Sequence, residues 1–280
     1  MLEKIIKGKL EKPYKVLLYG VEGIGKSTFA AQSSKPIFLA FEDGTNHLDI
    51  DRFDRINSLD QTYNAIRALI EEDHDYETLV CDTIDALYPL IERHVCSENN
   101  WASIEQPGYG RGPNQTCDEF RNLCSMIERA QRERNMNVLW IGHCEIKRFN
   151  NPDGESYDRF ALKIPPKSAG ILKEWCDAVL FCEYETSTIE KDGKTKGVSS
   201  GKRIIHTERR AAFDAKNRYS MADTIPLSFH AFEQARKASL DSLLQKIDES
   251  KRTQTIEWID KQPDPIIAEL NVMKKLQPMK

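Results

Sequence analysis

Short apolar runs alternate with longer amphipathic segments along the first two thirds of the chain. Apolar runs of strand length occupy residues 16–19, 36–41, 77–81, 138–141 and 178–181. Helical periodicity occupies residues 59–72, 84–95 and 116–134, with a short helix at 168–175. Apolar runs of this kind are typical of strands buried on both faces, and helices between them place such strands in parallel. The pattern therefore predicts an α/β fold with a mainly parallel central sheet flanked by helices.

Polar segments divide the pattern. Residues 97–115 are polar and rich in glycine, which predicts a mobile loop, and residues 145–166 predict a projecting hairpin or a disordered loop. A second hairpin signal lies at 191–194, with 203–207 as its returning strand. Beyond Phe229 the pattern is helical and charged. We therefore predict a core at residues 1–228 and a helical C-terminal tail or appendage at 229–280.

Composition changes this picture only slightly. The chain has 280 residues, of which 40% are hydrophobic, and a net charge of −4. The negative charge argues against a protein that coats nucleic acid by bulk attraction, so any nucleic-acid contact must be local. No stretch approaches the roughly 20 apolar residues that span a bilayer, and the first residues lack a signal-peptide core. We expect no membrane contact and a cytoplasmic location.

A phosphate-binding motif directly follows the first apolar run. It matches G-x-x-x-x-G-K-[ST] and, with the next residue, comprises Gly20, Val21, Glu22, Gly23, Ile24, Gly25, Lys26, Ser27 and Thr28. A strand that ends in such a loop and reopens as a helix directs several backbone N–H groups at one point, where a polyphosphate binds. Lys26 would bridge the β- and γ-phosphates, Ser27 would bind Mg²⁺, and Thr28 would lie near the α-phosphate. The motif predicts ATP and Mg²⁺ as cofactors.

Acidic residues at two strand ends are candidates for the chemistry of hydrolysis. Asp82 ends the run 77–81, where it could organise the metal ion, but Thr83 follows it rather than a glutamate. Glu42 ends the run 36–41, where it could face the γ-phosphate and activate water. Asp43 is the alternative base, and both acids could instead cap an ordinary turn.

The order of these elements resembles the RecA-like recombinase and helicase core. Residues 19–30, 41–44, 82–83, 108–110 and 142–143 are together similar to a bacteriophage group of RecA-like ATPases associated with single-strand annealing and recombination. The resemblance covers roughly residues 5–230. It implies an ATPase that acts on single-stranded DNA and assembles into a ring or filament with ATP between subunits. A single-strand-binding protein is a further possible partner.

The same resemblance implies roles for three more residues. His143, after the fourth apolar run, takes the position of a polar γ-phosphate sensor. Lys216 and Arg218 are similar to the lysine-x-arginine finger that RadA-type recombinases and DnaB-type helicases insert into a neighbour's nucleotide site. A structural histidine and a solvated charged turn are the alternatives.

Nucleic-acid contacts would come from basic residues interleaved with aromatic ones on two loops. The candidates are Tyr109 and Arg111 on the first loop, and Lys147, Arg148 and Lys163 on the second. Asp153, Glu155 and Asp158 lie among them and weaken the electrostatic case, so flexible surface loops are the alternative.

Two other functions fit a P-loop. A kinase of a nucleoside or small metabolite would carry an arginine-rich lid helix, which no segment clearly shows. A nucleotide-dependent loader or partner-binding ATPase has no distinctive sequence mark, and DNA would not stimulate it.

Overall fold

The computed structural model describes residues 12–191, 194–238, 249–262 and 265–276. Its strands are β1 (Lys15–Gly20), β2 (Pro36–Ala40), β3 (Asp51–Arg52), β4 (Thr78–Asp82), β5 (Asn137–Phe149), β6 (Tyr157–Leu162), β7 (Ala178–Lys191), β8 (Lys194–His206), β9 (Lys216–Asn217) and β10 (Thr224–Pro226). Its helices are α1 (Lys26–Ala31), α2 (Leu59–Glu71), α3 (Ile84–Asn99), α4 (Arg111–Arg134), α5 (Pro166–Trp175), α6 (Phe229–Lys237), α7 (Glu249–Asp260) and α8 (Pro265–Leu276).

One sheet runs through the described part of the chain. The strand order is β10-β8-β7-β1-β5-β4-β2-β3, with β6 added to β5 and β9 added to β7. The six strands from β7 to β3 are parallel, whereas β6, β8, β9 and β10 pair antiparallel with their neighbours. The predicted α/β architecture is therefore confirmed: a mainly parallel sheet, flanked by helices, with β-hairpin additions.

The central strands are buried on both faces because helices cover each side of the sheet. Helices α2 to α5 pack on one face around residues such as Leu17, Trp140 and Phe181. Helices α1 and α6 pack on the other, where the rings of Phe29 and Phe232 lie 5.9 Å apart. This double burial explains why the strands appear in the sequence as continuous apolar runs.

Helix α4 begins earlier than the sequence pattern predicts. The predicted loop at residues 97–115 shrinks to residues 100–110, because Arg111 already begins the helix. Gly112 and Pro113, which suggested a loop, occupy the first helical turn, where proline is tolerated. Gly112 packs so closely that a Cβ would lie 1.8 Å from the carbonyl oxygen of Ile104. The prediction of a loop was therefore wrong for residues 97–99, which belong to α3, and for residues 111–115.

Two predicted strands continue well beyond their apolar runs. Strand β5 does not end at His143 but runs to Phe149, and it forms a hairpin with β6. The hairpin predicted at residues 145–166 is therefore confirmed, and the alternative of a disordered loop was wrong. Strand β7 extends to Lys191 and pairs with β8 as a long ribbon. Both extensions are polar because they leave the helix-covered core, so no apolar run marks them.

The first helix after residue 228 packs on the core. Phe229 and Phe232 of α6 are buried, and the Phe232 ring lies 5.6 Å from that of Tyr14. Helices α7 and α8 contact each other. The division into residues 1–228 and 229–280 stays a prediction. In the described residues, every helix is too short or too polar to cross a bilayer.

Candidate functional site

The phosphate loop connects β1 to α1 at the carboxyl end of the parallel strands. Gly23 and Gly25 have φ angles of 70° and 104°, in the left-handed region that favours glycine. Gly20 has no room for a side chain, since a Cβ there would lie 2.0 Å from the carbonyl oxygen of Cys182. The glycines of the motif are therefore required both by backbone conformation and by close packing against β7.

Lys26 is folded back onto the loop. Its side chain is almost fully buried, and Nζ donates to the carbonyl oxygens of Gly20 at 3.2 Å and Val21 at 2.8 Å. These carbonyls accept hydrogen bonds from the ammonium but carry no counter-charge, so phosphate oxygens could replace them as stronger partners. Next to Lys26, Ser27 is half-buried and Thr28 is exposed at the start of α1.

Asp82 has the most unusual environment of the predicted site residues. It is 2% exposed, and neither carboxylate oxygen has a hydrogen-bond partner among the described residues. Burial raises its pKa to about 6, and the charge of Glu42 adds to this, while Ser27 and Lys26 act in the opposite direction. A buried, unpartnered carboxylate is costly unless a cation compensates it. Asp82 and the Ser27 hydroxyl therefore fit a site for Mg²⁺, whose preferred ligands are oxygens.

Glu42 lies beside Asp82 because their strands are neighbours. Ala40 of β2 is paired with Asp82 of β4, and the N–H of Phe41 donates to the Asp82 carbonyl at 3.0 Å. Glu42 is half-buried at the start of the next turn. The alternative base, Asp43, is exposed and forms an ion pair with Arg55 at 3.0 Å. Of the two acids, Glu42 is the one whose charge acts on the buried carboxylate.

His143 lies beside the start of the phosphate loop. It is the register partner of Gly20 across β1 and β5. Its Nδ1 lies 2.7 Å from Oδ2 of Asp85, and its backbone N–H donates to Oδ1 at 2.9 Å. Burial raises the pKa of Asp85, but the hydrogen bonds and charge of His143 outweigh it, so the pKa falls below its usual range. Asp85 thus orients the ring of His143.

The sequence interpretation missed Asp85 and Arg203. Asp85 stands three residues after Asp82, at the beginning of α3. This spacing could have identified Asp85 from the sequence as a residue near the site. Arg203 of β8 donates from Nη1 to the carbonyl of Ile24 at 3.1 Å, and a Cβ on Gly25 would lie 2.8 Å from that nitrogen. No local pattern could reveal this contact, because 179 residues separate Arg203 from Ile24.

Lys216 and Arg218 are not brought near the phosphate loop of their own chain. Strand β9 pairs with the beginning of β7, at Ala178 and Val179, so Arg218 lies about five residues, roughly 16 Å, from Gly20 along the strands. Lys216 Nζ donates to the carbonyls of Lys173, Glu174 and Cys176 at the end of α5. Arg218 is exposed and pairs with Asp177 at 3.1 Å. Their role as a finger stays a prediction.

The predicted nucleic-acid residues lie in three places. Tyr109 is fully exposed, at 103%, between two glycines with left-handed backbone, and Arg111 follows it as the first residue of α4. Lys147 and Arg148 lie on the β5–β6 hairpin, paired with Glu145 at 2.8 Å and Asp158 at 3.5 Å. Lys163 lies elsewhere, 3.8 Å from Glu22 of the phosphate loop. The nucleic-acid role of all five stays a prediction.

The fold and this site define a P-loop ATPase. The family model described as AAA domain matches residues 12–219, so the chain belongs to this family. The chain is 26% identical over 234 residues to the SPbeta prophage-derived uncharacterized protein YorG of Bacillus subtilis (strain 168). This match covers 81% of the chain and 66% of YorG, so the chain spans slightly less than two thirds of that relative.

A solved structure is similar at a lower level. The crystal structure of the RadB recombinase is 16% identical with a TM-score of 0.41, over 72% of this chain and 83% of that one. The prediction of a phage-related P-loop ATPase is confirmed by the family and by the prophage relative. Nucleotide binding follows from membership of the AAA-domain family.

Proposed function

We propose that this protein hydrolyses ATP with Mg²⁺, acts on single-stranded DNA in recombination or annealing, and assembles so that ATP lies between subunits. The observation that carries the ATPase part is the buried carboxylate of Asp82, which has no hydrogen-bond partner among the described residues and whose pKa is affected by Lys26, Ser27 and Glu42. The Asp82 carboxylate could therefore bind a metal ion, and the ammonium of Lys26 could bind a phosphate group.

Each residue of the site then has one role. Lys26 would exchange its loop carbonyls for phosphate oxygens, and Ser27 and Asp82 would hold Mg²⁺, which would supply charge neutralisation to the phosphates. Glu42 orients a water molecule and accepts its proton, since it is half-buried at the end of the adjacent strand. His143, oriented by Asp85, reports the presence of the γ-phosphate to the β5–β6 hairpin, because β5 contains both His143 and the first hairpin strand.

Single-stranded DNA is supported as partner by the β5–β6 hairpin and the Tyr109 turn. An exposed tyrosine can stack on a base of any sequence, and the cations of the hairpin can contact the sugar-phosphate backbone. The ion pairs of Lys147 and Arg148 are exposed, and such pairs are worth only about 0–1 kcal/mol. DNA phosphates could therefore replace Glu145 and Asp158 at small cost.

Assembly is supported by the exposure of Arg218. Lys216 is engaged by three carbonyls, whereas Arg218 has an exposed side chain at the end of the sheet opposite its own phosphate loop. A subunit stacked on that end could receive Arg218 in its ATP site, where a cation stabilises the charge of the transition state. Arg218 is thus the better candidate for the finger in trans.

The decisive experiment is ATP hydrolysis with and without single-stranded DNA, over a range of protein concentrations at fixed modest salt. We expect stimulation by DNA and a rise steeper than linear with protein concentration. Arg218→Ala should lose turnover while the monomer keeps its affinity for ATP. Turnover that ignores DNA would favour the loader or partner-binding ATPase, and phosphate transfer to a metabolite would favour the kinase.

A further inference from the structure

Lys163 lies beside the phosphate loop, although the sequence grouped it with the nucleic-acid residues. Its backbone N–H donates to the carbonyl of His143 at 3.0 Å, and His143 is the register partner of Gly20. Its Nζ lies 3.8 Å from Oε1 of Glu22. Two backbone contacts thus connect Lys163 to the first residue of the loop.

The position of Lys163 is fixed by its buried neighbours. Leu162 and Ile164 are 5% and 4% exposed, and Leu162 packs against Gly142 so closely that a Cβ there would lie 2.5 Å from its Cδ1. The Lys163 side chain between them is half exposed, at 51%. Its backbone is therefore held at the carboxyl edge of the sheet while its ammonium can change partners.

The charge balance of this edge favours a further cation. Glu22, Glu42, Asp82 and Asp85 supply four acidic groups, and bound ATP would add up to about four negative charges from its phosphates. Lys26, buried within the loop, and Arg203, which contacts the loop at Ile24, supply two positive charges against them. The exposed pair between Lys163 and Glu22 is worth at most about 1 kcal/mol, so phosphate oxygens can replace Glu22 as the partner.

We propose that Lys163 belongs to the nucleotide site and contacts the terminal phosphate of ATP bound to the same chain. This inference rests on the proposed ATPase function and specifies it further. A contact to the terminal phosphate exists with ATP and is absent with ADP. Lys163 therefore makes the site prefer the triphosphate, independently of DNA and of a neighbouring subunit.

The test compares Lys163→Ala with the full-length wild-type chain. Dissociation constants for ADP and for a non-hydrolysable ATP analogue are measured by calorimetry with Mg²⁺ and without DNA. We expect the affinity for the analogue to fall about tenfold or more, since a hydrogen bond to a charged group is lost, while the affinity for ADP stays the same. Turnover without DNA should fall as well.

Two further variants make the result specific. Lys163→Arg keeps the cation and should restore most of the preference for the analogue. Lys167→Ala removes a nearby exposed lysine, whose Nζ donates to Asn114 at 2.7 Å, and should leave both affinities and turnover unchanged. Thermal denaturation verifies that all variants are folded.

The proposal is wrong if Lys163→Ala keeps the wild-type preference and turnover, or if it loses only retention on single-stranded DNA. A wild-type chain that binds neither nucleotide would overturn the proposed function itself, and the inference with it, before any variant is measured.

Discussion

Two lysines at opposite ends of the central sheet make the same kind of contact with different consequences. Lys26 donates to two carbonyls of the phosphate loop, and Lys216 donates to three carbonyls at the end of α5. Lys216 interacts favourably with the negative end of a helix dipole. Lys26 instead shares its site with Asp82, whose carboxylate has no partner among the described residues.

This difference teaches where function resides in the fold. At the amino end of the parallel strands the charges satisfy one another, as Arg218 does with Asp177. At the carboxyl end the described residues compensate the buried carboxylate of Asp82 only in part, through Lys26 and Ser27. Unsatisfied buried charge costs stability, and its presence in a native site indicates a missing ligand rather than a structural contact.

Lys26→Ala gives the largest expected effect and tests the lysine at the phosphate loop. Turnover should fall by about 10²–10³-fold, as for the loss of one donor to transition-state charge, because no other side chain within the loop replaces the ammonium. The measurement is steady-state ATP hydrolysis, with nucleotide affinity measured alongside. Normal turnover would show that Lys26, like Lys216, is only structural.

Glu42→Gln sharpens the assignment of the general base. The amide keeps the shape of the side chain but cannot accept a proton, so hydrolysis should fall by about 10²-fold while ATP stays bound. Retention of labelled ATP and release of phosphate are measured on the same sample. Asp43→Asn is the matched control; if it stops hydrolysis and Glu42→Gln does not, Asp43 is the base.

Acid pH should weaken the Mg²⁺ site through Asp82. Burial raises the pKa of this carboxyl from 3.8 to about 6, so the ionised form that binds the metal is lost as pH falls through about 6. The apparent affinity for Mg²⁺ should then fall up to about tenfold per pH unit between pH 6 and 5.

The raised pKa of Asp82 also makes the stability of the metal-free protein depend on pH. The folded state binds the proton more tightly than the unfolded chain, so its ionisation destabilises the fold above pH 6, and this cost disappears as pH falls toward 4. Mg²⁺ with ATP should therefore raise the melting temperature more at pH 8 than at pH 5. An equal rise at both values would contradict the metal role of Asp82.

Lys216→Met tests the lysine at the end of α5 and should have the smallest effect. Removing the ammonium leaves the last carbonyls of α5 without this donor, which should lower the free energy of unfolding by about 1–3 kcal/mol. Urea denaturation measures it. An unchanged midpoint would show that the three contacts add nothing to stability.

The sequence predicted those parts of the site that one segment contains. The apolar run 16–19 followed by the glycine motif specified β1, the phosphate loop and α1, because strand burial, glycine conformation and helix initiation are all local. Asp82 and Glu42 were predicted together for a similar reason, since acids that end parallel strands meet at one edge. In the structure the charge of Glu42 acts on Asp82, and the catalytic roles of both stay a prediction.

The parts that were missed depend on distant partners or on weak local signals. Gly112 and Pro113 suggested a loop, yet both fit the first turn of α4, where packing against Ile104 decides the outcome. For residues 145–166 the predicted hairpin was right, but the sequence left it open against a disordered loop, because the polar extension of β5 depends on its pairing with β6.

By itself, the sequence determined the strand and helix pattern, the phosphate loop and the acids at two strand ends, since these follow from local periodicity and residue chemistry. Tertiary structure decided which charges meet: Asp85 with His143, Arg203 with the loop, Lys163 with Glu22 and Lys216 with α5. The physical reason is that strand order and register set contacts between residues far apart in the chain, and no local pattern records that register.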